Sequence, residues 1–234
     1  MPIGIITNVL ATLTGSLLGL VIGSKLPQPL KTALNNTLGV AAICMGIVLL
    51  MRQHALSAVV LSVVLGCVVG ELLQLENRIN TGVSKIISRL MGARADEQLL
   101  IQVSAVVVLF CCGGTGWYGA LNEGLTGDPS ILITKSILDF VTAMIFGSLL
   151  GKIVPCLCIP QALVYGILYL VSGVLQPMIT QEIIGDFSAA GGIITMCAGL
   201  RLSGIKRDIK VLNLLPTLIL VFLVSAGWTA LLGS

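Results

Sequence analysis

Charge is scarce in this sequence: Asp, Glu, Lys and Arg make up 10% of its 234 residues, against a hydrophobic share of 56%. Soluble domains carry roughly 25% charged residues, so the chain lacks the side chains for a water-facing coat. Histidine occurs once, at His54. The seven cysteines (Cys44, Cys67, Cys111, Cys112, Cys156, Cys158 and Cys197) form no C-x-x-C pair and lie in or beside apolar runs. A zinc site needs N or S ligands at metal-binding spacing, so no metal or other cofactor is expected, and the cysteines read as small packing residues. A net charge of +3 with no basic stripe excludes a nucleic-acid surface. There is no G-K-[ST] and hence no P-loop, and no Ser/His pair or metal cluster to support catalysis. The chain is not expected to be an enzyme. The first residues lack the basic stretch of a cleavable signal peptide, so the first apolar run is expected to be retained as a helix.

Long apolar runs are abundant. Residues 1–24, 32–51, 53–70, 98–122, 153–181 and 211–234 contain no Asp, Glu, Lys or Arg. Two further runs, 129–151 and 183–200, are interrupted only by Lys135 with Asp139 and by Asp186. A helix needs about 20 apolar residues to cross the hydrocarbon core. Spans are therefore predicted near 3–23, 34–51, 55–72, 99–118, 131–151, 161–178, 186–202 and 212–232. The fold class is an all-α polytopic membrane bundle of about eight crossings in a single transmembrane domain, or seven if 34–51 or 161–178 fails to cross. Basic residues favour the cytoplasmic side. Eleven Lys and Arg fall in the odd-numbered connections, against Arg52 and Lys135 elsewhere. Both termini are therefore predicted outside the cytoplasm.

The connection 73–98 has its own pattern: Ile79, Val83, Ile86, Leu90 and Met91 recur at helical spacing among Arg78, Lys85 and Arg89. A short amphipathic helix on the cytoplasmic membrane surface fits it, with snorkelling basic side chains as its ordinary explanation. Gly15, Gly19 and Gly23 share one face of the first span, and Gly66 and Gly70 share one in the third. Small residues at this spacing let helices approach closely, within one chain or between copies. There is also a weak internal repeat, 1–75 against 130–234: Gly15-Ser-Leu-Leu-Gly19 returns as Gly147-Ser-Leu-Leu-Gly151, and Cys44-Met-Gly46 resembles Cys197-Ala-Gly199. Short apolar strings also coincide by chance.

Chemistry concentrates in 111–140, CCGGTGWYGALNEGLTGDPSILITKSILDF. Six glycines between Gly113 and Gly127 loosen helical backbone. Two readings stand. The fourth span breaks at membrane depth, as in transporter sites, or it ends in a glycine-rich external loop anchored by Trp117 and Tyr118. Gly114-Thr-Gly116-Trp-Tyr-Gly119 matches the dinucleotide fingerprint on paper, but its βαβ context is missing. Asp128 before Pro129 suits a helix N-cap. Lys135 and Asp139 stand four residues apart on the fifth span and share a face. An intramembrane charge costs about 2.5–3.5 kcal/mol on insertion scales and points to function by default; a structural ion pair is the alternative. Glu123, Asp128, Glu182 and Asp186 give the outer side an acidic character that would concentrate cations. Glu71, Glu76 and Arg201 close spans on the cytoplasmic side as gates or ordinary helix-end charges.

The strings Gly114-Thr-Gly116, Asn122-Glu-Gly124, Gly127-Asp-Pro-Ser130, Lys135-Ser and Leu138-Asp-Phe140 resemble the bacterial YqgA/YdfK-like family, a domain-of-unknown-function group (554) of polytopic membrane proteins. Gly70-Glu71, Asp186-Phe-Ser-Ala, Gly199-Leu-Arg201, Gly204-Ile-Lys206 and Leu215-Pro216 extend the likeness along nearly the whole chain. The resemblance implies a protein of the bacterial inner membrane and names no activity.

The expected function is a small transporter or channel for an ion or small solute, cation- or proton-linked, embedded in the lipid bilayer and homo-oligomeric. Lys135 and Asp139 would line its path, with Asn122, Glu123, Asp128 and Asp186 towards its outer mouth. Asp139 would hold a cation or proton, with Lys135 favouring its ionised form. The alternative is an accessory or scaffolding membrane protein whose charges serve assembly.

Overall fold

The computed structural model describes all residues except 24, 26, 92–96, 176–179 and 233–234. Among them are eleven α-helices and no strand: α1 (Ile3–Gly23), α2 (Gln28–Leu50), α3 (Leu56–Leu72), α4 (Leu75–Met91), α5 (Glu97–Cys111), α6 (Gly114–Thr126), α7 (Ser130–Leu150), α8 (Ile153–Cys156), α9 (Cys158–Leu175), α10 (Gln181–Leu202) and α11 (Thr217–Leu232). A 3-10 turn at Val211–Leu214 leads into α11. The all-α membrane bundle read from hydropathy is the observed architecture.

Local chemistry sets the helix ends. Pro27 is extended (φ −68°, ψ 149°) and begins α2 with Pro29 in its first turn, where the missing N–H costs nothing. As a result α2 starts six residues before the predicted 34. Thr180 accepts the Ile183 N–H at 3.3 Å and opens α10, five residues ahead of the predicted 186. Gly127, at φ 75°, closes α6 in the left-handed region.

Among the described residues, seven helical segments are long and apolar enough to cross a membrane, and the count rises to eight when α3 and Leu75–Lys85, bent by 59°, are taken as one span. Close contacts fix the relative directions. Gly4, Gly15, Gly19 and Gly23 of α1 meet Leu132, Phe140, Met144 and Ser148 of α7 in ascending order, so these helices are parallel. On α2, Gly39 and Gly46 meet Gly199 and Gly192 of α10, an antiparallel pair. Gly66 and Gly70 of α3 lie on Thr217 and Asn213, so α3 opposes α11; Gly116 and Gly124 of α6 follow Tyr165 and Ser172 along α9 in parallel. Eight alternating crossings generate all four relations when α5–α6 and α8–α9 each count once. Removing any one crossing between the first and the last reverses at least one.

α4 follows the bend at Gln74, whose φ is 50°. Its Ile79 and Val83 pack on the core while Arg78, Lys85 and Arg89 are exposed, as an amphipathic helix requires. The side chains of Ile86, Leu90 and Met91 lie outside the described residues.

Helix association in lipid depends on van der Waals packing rather than on water release. A Cβ added at Gly15 or Gly19 would sit on the carbonyl oxygens of Phe140 and Met144, so only glycine permits this α1–α7 spacing. The repeated strings meet each other here: Gly147 lies on Ser16. The second match falls on the antiparallel α2–α10 pair, so one duplication cannot relate both. Gly19→Val is expected to destabilise the protein by about 1–3 kcal/mol, the usual cost of overpacking, lowering the melting temperature in detergent. Gly166→Ala, with nothing within 4 Å of the new Cβ, is expected to leave it unchanged.

Candidate functional site

The fourth crossing is helical on both sides of a break. α5 ends at Cys111 and α6 begins at Gly114, with Gly113 extended between them (φ −63°, ψ 129°). The glycine-rich segment is thus a helix and not an external loop. A break in lipid demands substitute partners for its freed carbonyls, and two side chains supply them. Tyr165 donates its hydroxyl to the Phe110 carbonyl at 2.6 Å, and Trp117 Nε1 donates to the Cys111 carbonyl at 2.7 Å. A Cβ at Gly116 would overlap the Tyr165 hydroxyl and come within 3.1 Å of the Lys135 stem. The glycine is therefore what lets both side chains reach the break.

Lys135 and Asp139 of α7 form an ion pair, each 8% exposed. Asp139 also accepts from Asn8 Nδ2 at 2.9 Å, and Asn8 Oδ1 accepts from Gln161 Nε2 at 2.8 Å. This chain joins α7, α1 and α9. Asn8 and Gln161 were not singled out from sequence, although Asn8 is the one amide in the first apolar run. Among the described residues Asp139 is the only hydrogen-bond partner of Lys135.

A cavity of about 390 Å³ opens beside the pair, between α2, the broken α5–α6 span, α7 and α10. Leu109, Phe110 and Gly113 bring the break to its wall, and Lys135 and Asp139 provide its charges together with Arg52. Thr115, Tyr118, Ser130, Thr134, Thr142 and Thr195 add hydroxyls to an otherwise apolar lining.

The remaining predicted residues are placed differently. Glu123, 1% exposed, accepts the N–H groups of Gly4 (2.7 Å) and Ile5 (3.1 Å). It therefore satisfies the unpaired first turn of α1 and the positive end of its dipole. Asp186, also 1% exposed, accepts from the N–H groups of His54 (2.7 Å) and Ala55 (2.8 Å) before α3 and from Ser225 Oγ (2.6 Å). None of the four acids of the outer mouth read from sequence (Glu123, Asp128, Glu182 and Asp186) lines the cavity, and Glu123 and Asp186 are committed to backbone N–H groups instead. Asp128 is exposed one residue before the N-cap Pro129. It accepts from the Ser130 N–H at 3.0 Å and Ser130 Oγ at 2.9 Å, which hold its carboxyl below the usual range. Asn122 donates to the Asp128 carbonyl at 3.4 Å. At the opposite end, Glu76 is buried against Arg201 Nη1 at 2.5 Å and also accepts the Leu212 N–H at 2.9 Å. Glu71 pairs with Lys210.

Comparison with known proteins agrees with this architecture. The chain is 41% identical over 233 residues to an uncharacterized protein, YqgA, of Escherichia coli strain K12, covering 98% of this chain and 99% of that one. It is 28% identical over 222 residues to an uncharacterized membrane protein, YdfK, of Bacillus subtilis strain 168, covering 93% of each. No solved structure matches. The profile of the proteins of unknown function called DUF554 matches residues 3–226, and the chain belongs to that family of membrane proteins.

Proposed function

We propose that this protein is a small transporter or channel for an ion or small solute in the bacterial inner membrane, with both termini outside the cytoplasm. One observation carries the reading: two cavities lie on the same seam of four helices. The 390 Å³ cavity occupies the half that carries Arg52 and Ser130. A second, of about 820 Å³, occupies the half that carries Lys31, Gln98, Arg201 and Arg207. Both are walled by α2, α5, α7 and α10.

The separation follows from helix geometry. From Thr195 in the first cavity to Arg201 in the second is six residues of α10, and from Leu109 to Gln102 is seven residues of α5. At 1.5 Å per residue, the two linings stand about 10 Å apart along α5 and α10, but only about 3–5 Å apart along α2, from Leu38 to Asn36, and along α7, from Phe146 to Leu149. Val106 and Ala198 of the apolar core lie between the two linings in sequence along α5 and α10, with Phe146 in the wall of the first cavity and Leu202 in the wall of the second. Two vestibules roomy enough for water, ending on one thin apolar plug, fit the layout of a closed permeation path. Lys135 and Asp139, one of them needed to carry or exchange charge, stand in the outer vestibule beside a broken helix.

Leu138 (56% exposed) and Met45 (48% exposed) edge the outer cavity, so the seam between α2 and α7 opens towards lipid. Homo-oligomerisation is part of the proposal because a neighbouring copy would close that side. No catalytic step and no cofactor enter it. The tie from Asp139 through Asn8 to Gln161 favours the second reading, in which the pair braces an accessory protein. Flux through reconstituted protein, compared between wild type and Asp139→Asn, separates the two.

A further inference from the structure

We infer that the 820 Å³ cavity binds a small oxyanion bearing its own O–H or N–H group, such as hydrogen phosphate or a hydroxycarboxylate. The sign comes from its wall. Lys31, Arg201 and Arg207 face one acid, Asp208. That acid is already paired with Lys206 at 2.9 Å, a bond that holds its carboxyl below the usual range. Lys31 and Arg207 form no ion pair among the described residues. α2 enters this wall with its first turn, which has no side-chain cap and no acidic residue, so its positive end adds to the field.

The specificity comes from two orphaned atoms. Arg201 is 7% exposed, and although its Nη1 holds Glu76, its Nε has no partner. Asn35 donates Nδ2 to the Leu202 carbonyl at 2.9 Å, while its Oδ1 has no partner. Both residues line the cavity. A buried guanidinium N–H without an acceptor is costly, and so is a buried amide oxygen without a donor. One ligand answers both if it presents an anionic oxygen to the arginine and a proton to the asparagine. Sulfate and acetate satisfy only the first requirement; hydrogen phosphate and lactate satisfy both.

Identifying this anion as the permeant solute rests on the transport reading above; the binding site itself does not. The test is calorimetric titration of delipidated protein in neutral detergent with inorganic phosphate, lactate, sulfate and acetate at constant ionic strength. Phosphate or lactate should bind more tightly than its partner without a donor. The Lys31→Gln/Arg207→Gln double variant should weaken that binding about tenfold to a hundredfold, the scale of lost charge-assisted bonds, and these partly or fully exposed positions keep the fold out of question. Asn35→Ala should abolish the preference for phosphate over sulfate. Binding by none of the four anions, or binding unchanged in the double variant, overturns the inference. So does anion binding that is present in phosphatidylcholine nanodiscs and lost in phosphatidylglycerol ones, because the site would then be filled by a lipid headgroup. Flux without anion binding sinks this inference alone; anion binding without flux in wild type sinks the transport reading alone.

Discussion

Asp139→Asn is expected to reduce flux through reconstituted protein at least about tenfold, equivalent to ~1.4 kcal/mol in the limiting step, with the fold retained. The substitution keeps side-chain volume and leaves an oxygen that can accept from Asn8, which lies 2.9 Å from the present carboxylate. What disappears is the negative charge that holds Lys135. An uncompensated ammonium in the wall of the outer cavity changes the electrostatics for anything passing it, because water there is limited and screening is weak. Exchanging the two residues, Lys135→Asp with Asp139→Lys, retains a pair but moves the charges one helical turn. Flux should fall again, whereas a bracing role would be served about equally well. Circular dichroism and gel filtration of both variants report folding separately from flux.

The largest loss of stability is expected at Asp186→Ala. Its carboxylate accepts three hydrogen bonds while 1% exposed. Removing it leaves two backbone N–H groups and one hydroxyl without partners where water does not easily reach. Each orphaned group costs ~1–3 kcal/mol, although hydrogen bonds within membranes average only ~0.6 kcal/mol in double-mutant cycles. Three donors sharing one charged acceptor put the total at about 3 kcal/mol or more, seen as a lower melting temperature in detergent. Asp128→Ala removes a similar cap at an exposed position and should change the melting temperature little. If the two variants melt alike, Asp186 does not tie α3, α10 and α11 together as described.

The contrast between these acids shows where sequence reading stops. Hydropathy was enough to find the long apolar helices, because it follows from what lipid excludes at every residue. It misplaced the start of α2, because Gln28, Lys31 and Thr32 belong to the helix yet are polar. Those residues form part of the wall of the larger cavity. The break in the fourth crossing was legible as a run of glycines, but its capping by Tyr165 and Trp117 was not. Neither was the choice of partner by each acid. Glu123 and Asp186 look like surface charges in sequence; only the packed helices bring the first turn of α1 and the turn before α3 onto them. Asp139 and Lys135 were recoverable because both members of the pair lie on one helix at a spacing of four. Asn8 and Gln161 join them from α1 and α9, across 131 and 153 residues of sequence between the bonded pairs, a distance no local pattern reports.

Side-specific labelling tests the two-vestibule seam most directly. In a cysteine-free background, single cysteines at Thr142, in the outer cavity, and Asn36, in the inner one, are exposed to a membrane-impermeant charged thiol reagent in vesicles of each orientation. Thr142→Cys should react only from the periplasmic face, Asn36→Cys only from the cytoplasmic face, and Val106→Cys between them from neither. A Thr142→Cys side chain that stays unreactive from both faces would mean that no water reaches Lys135 and Asp139, and permeation along this seam would be contradicted.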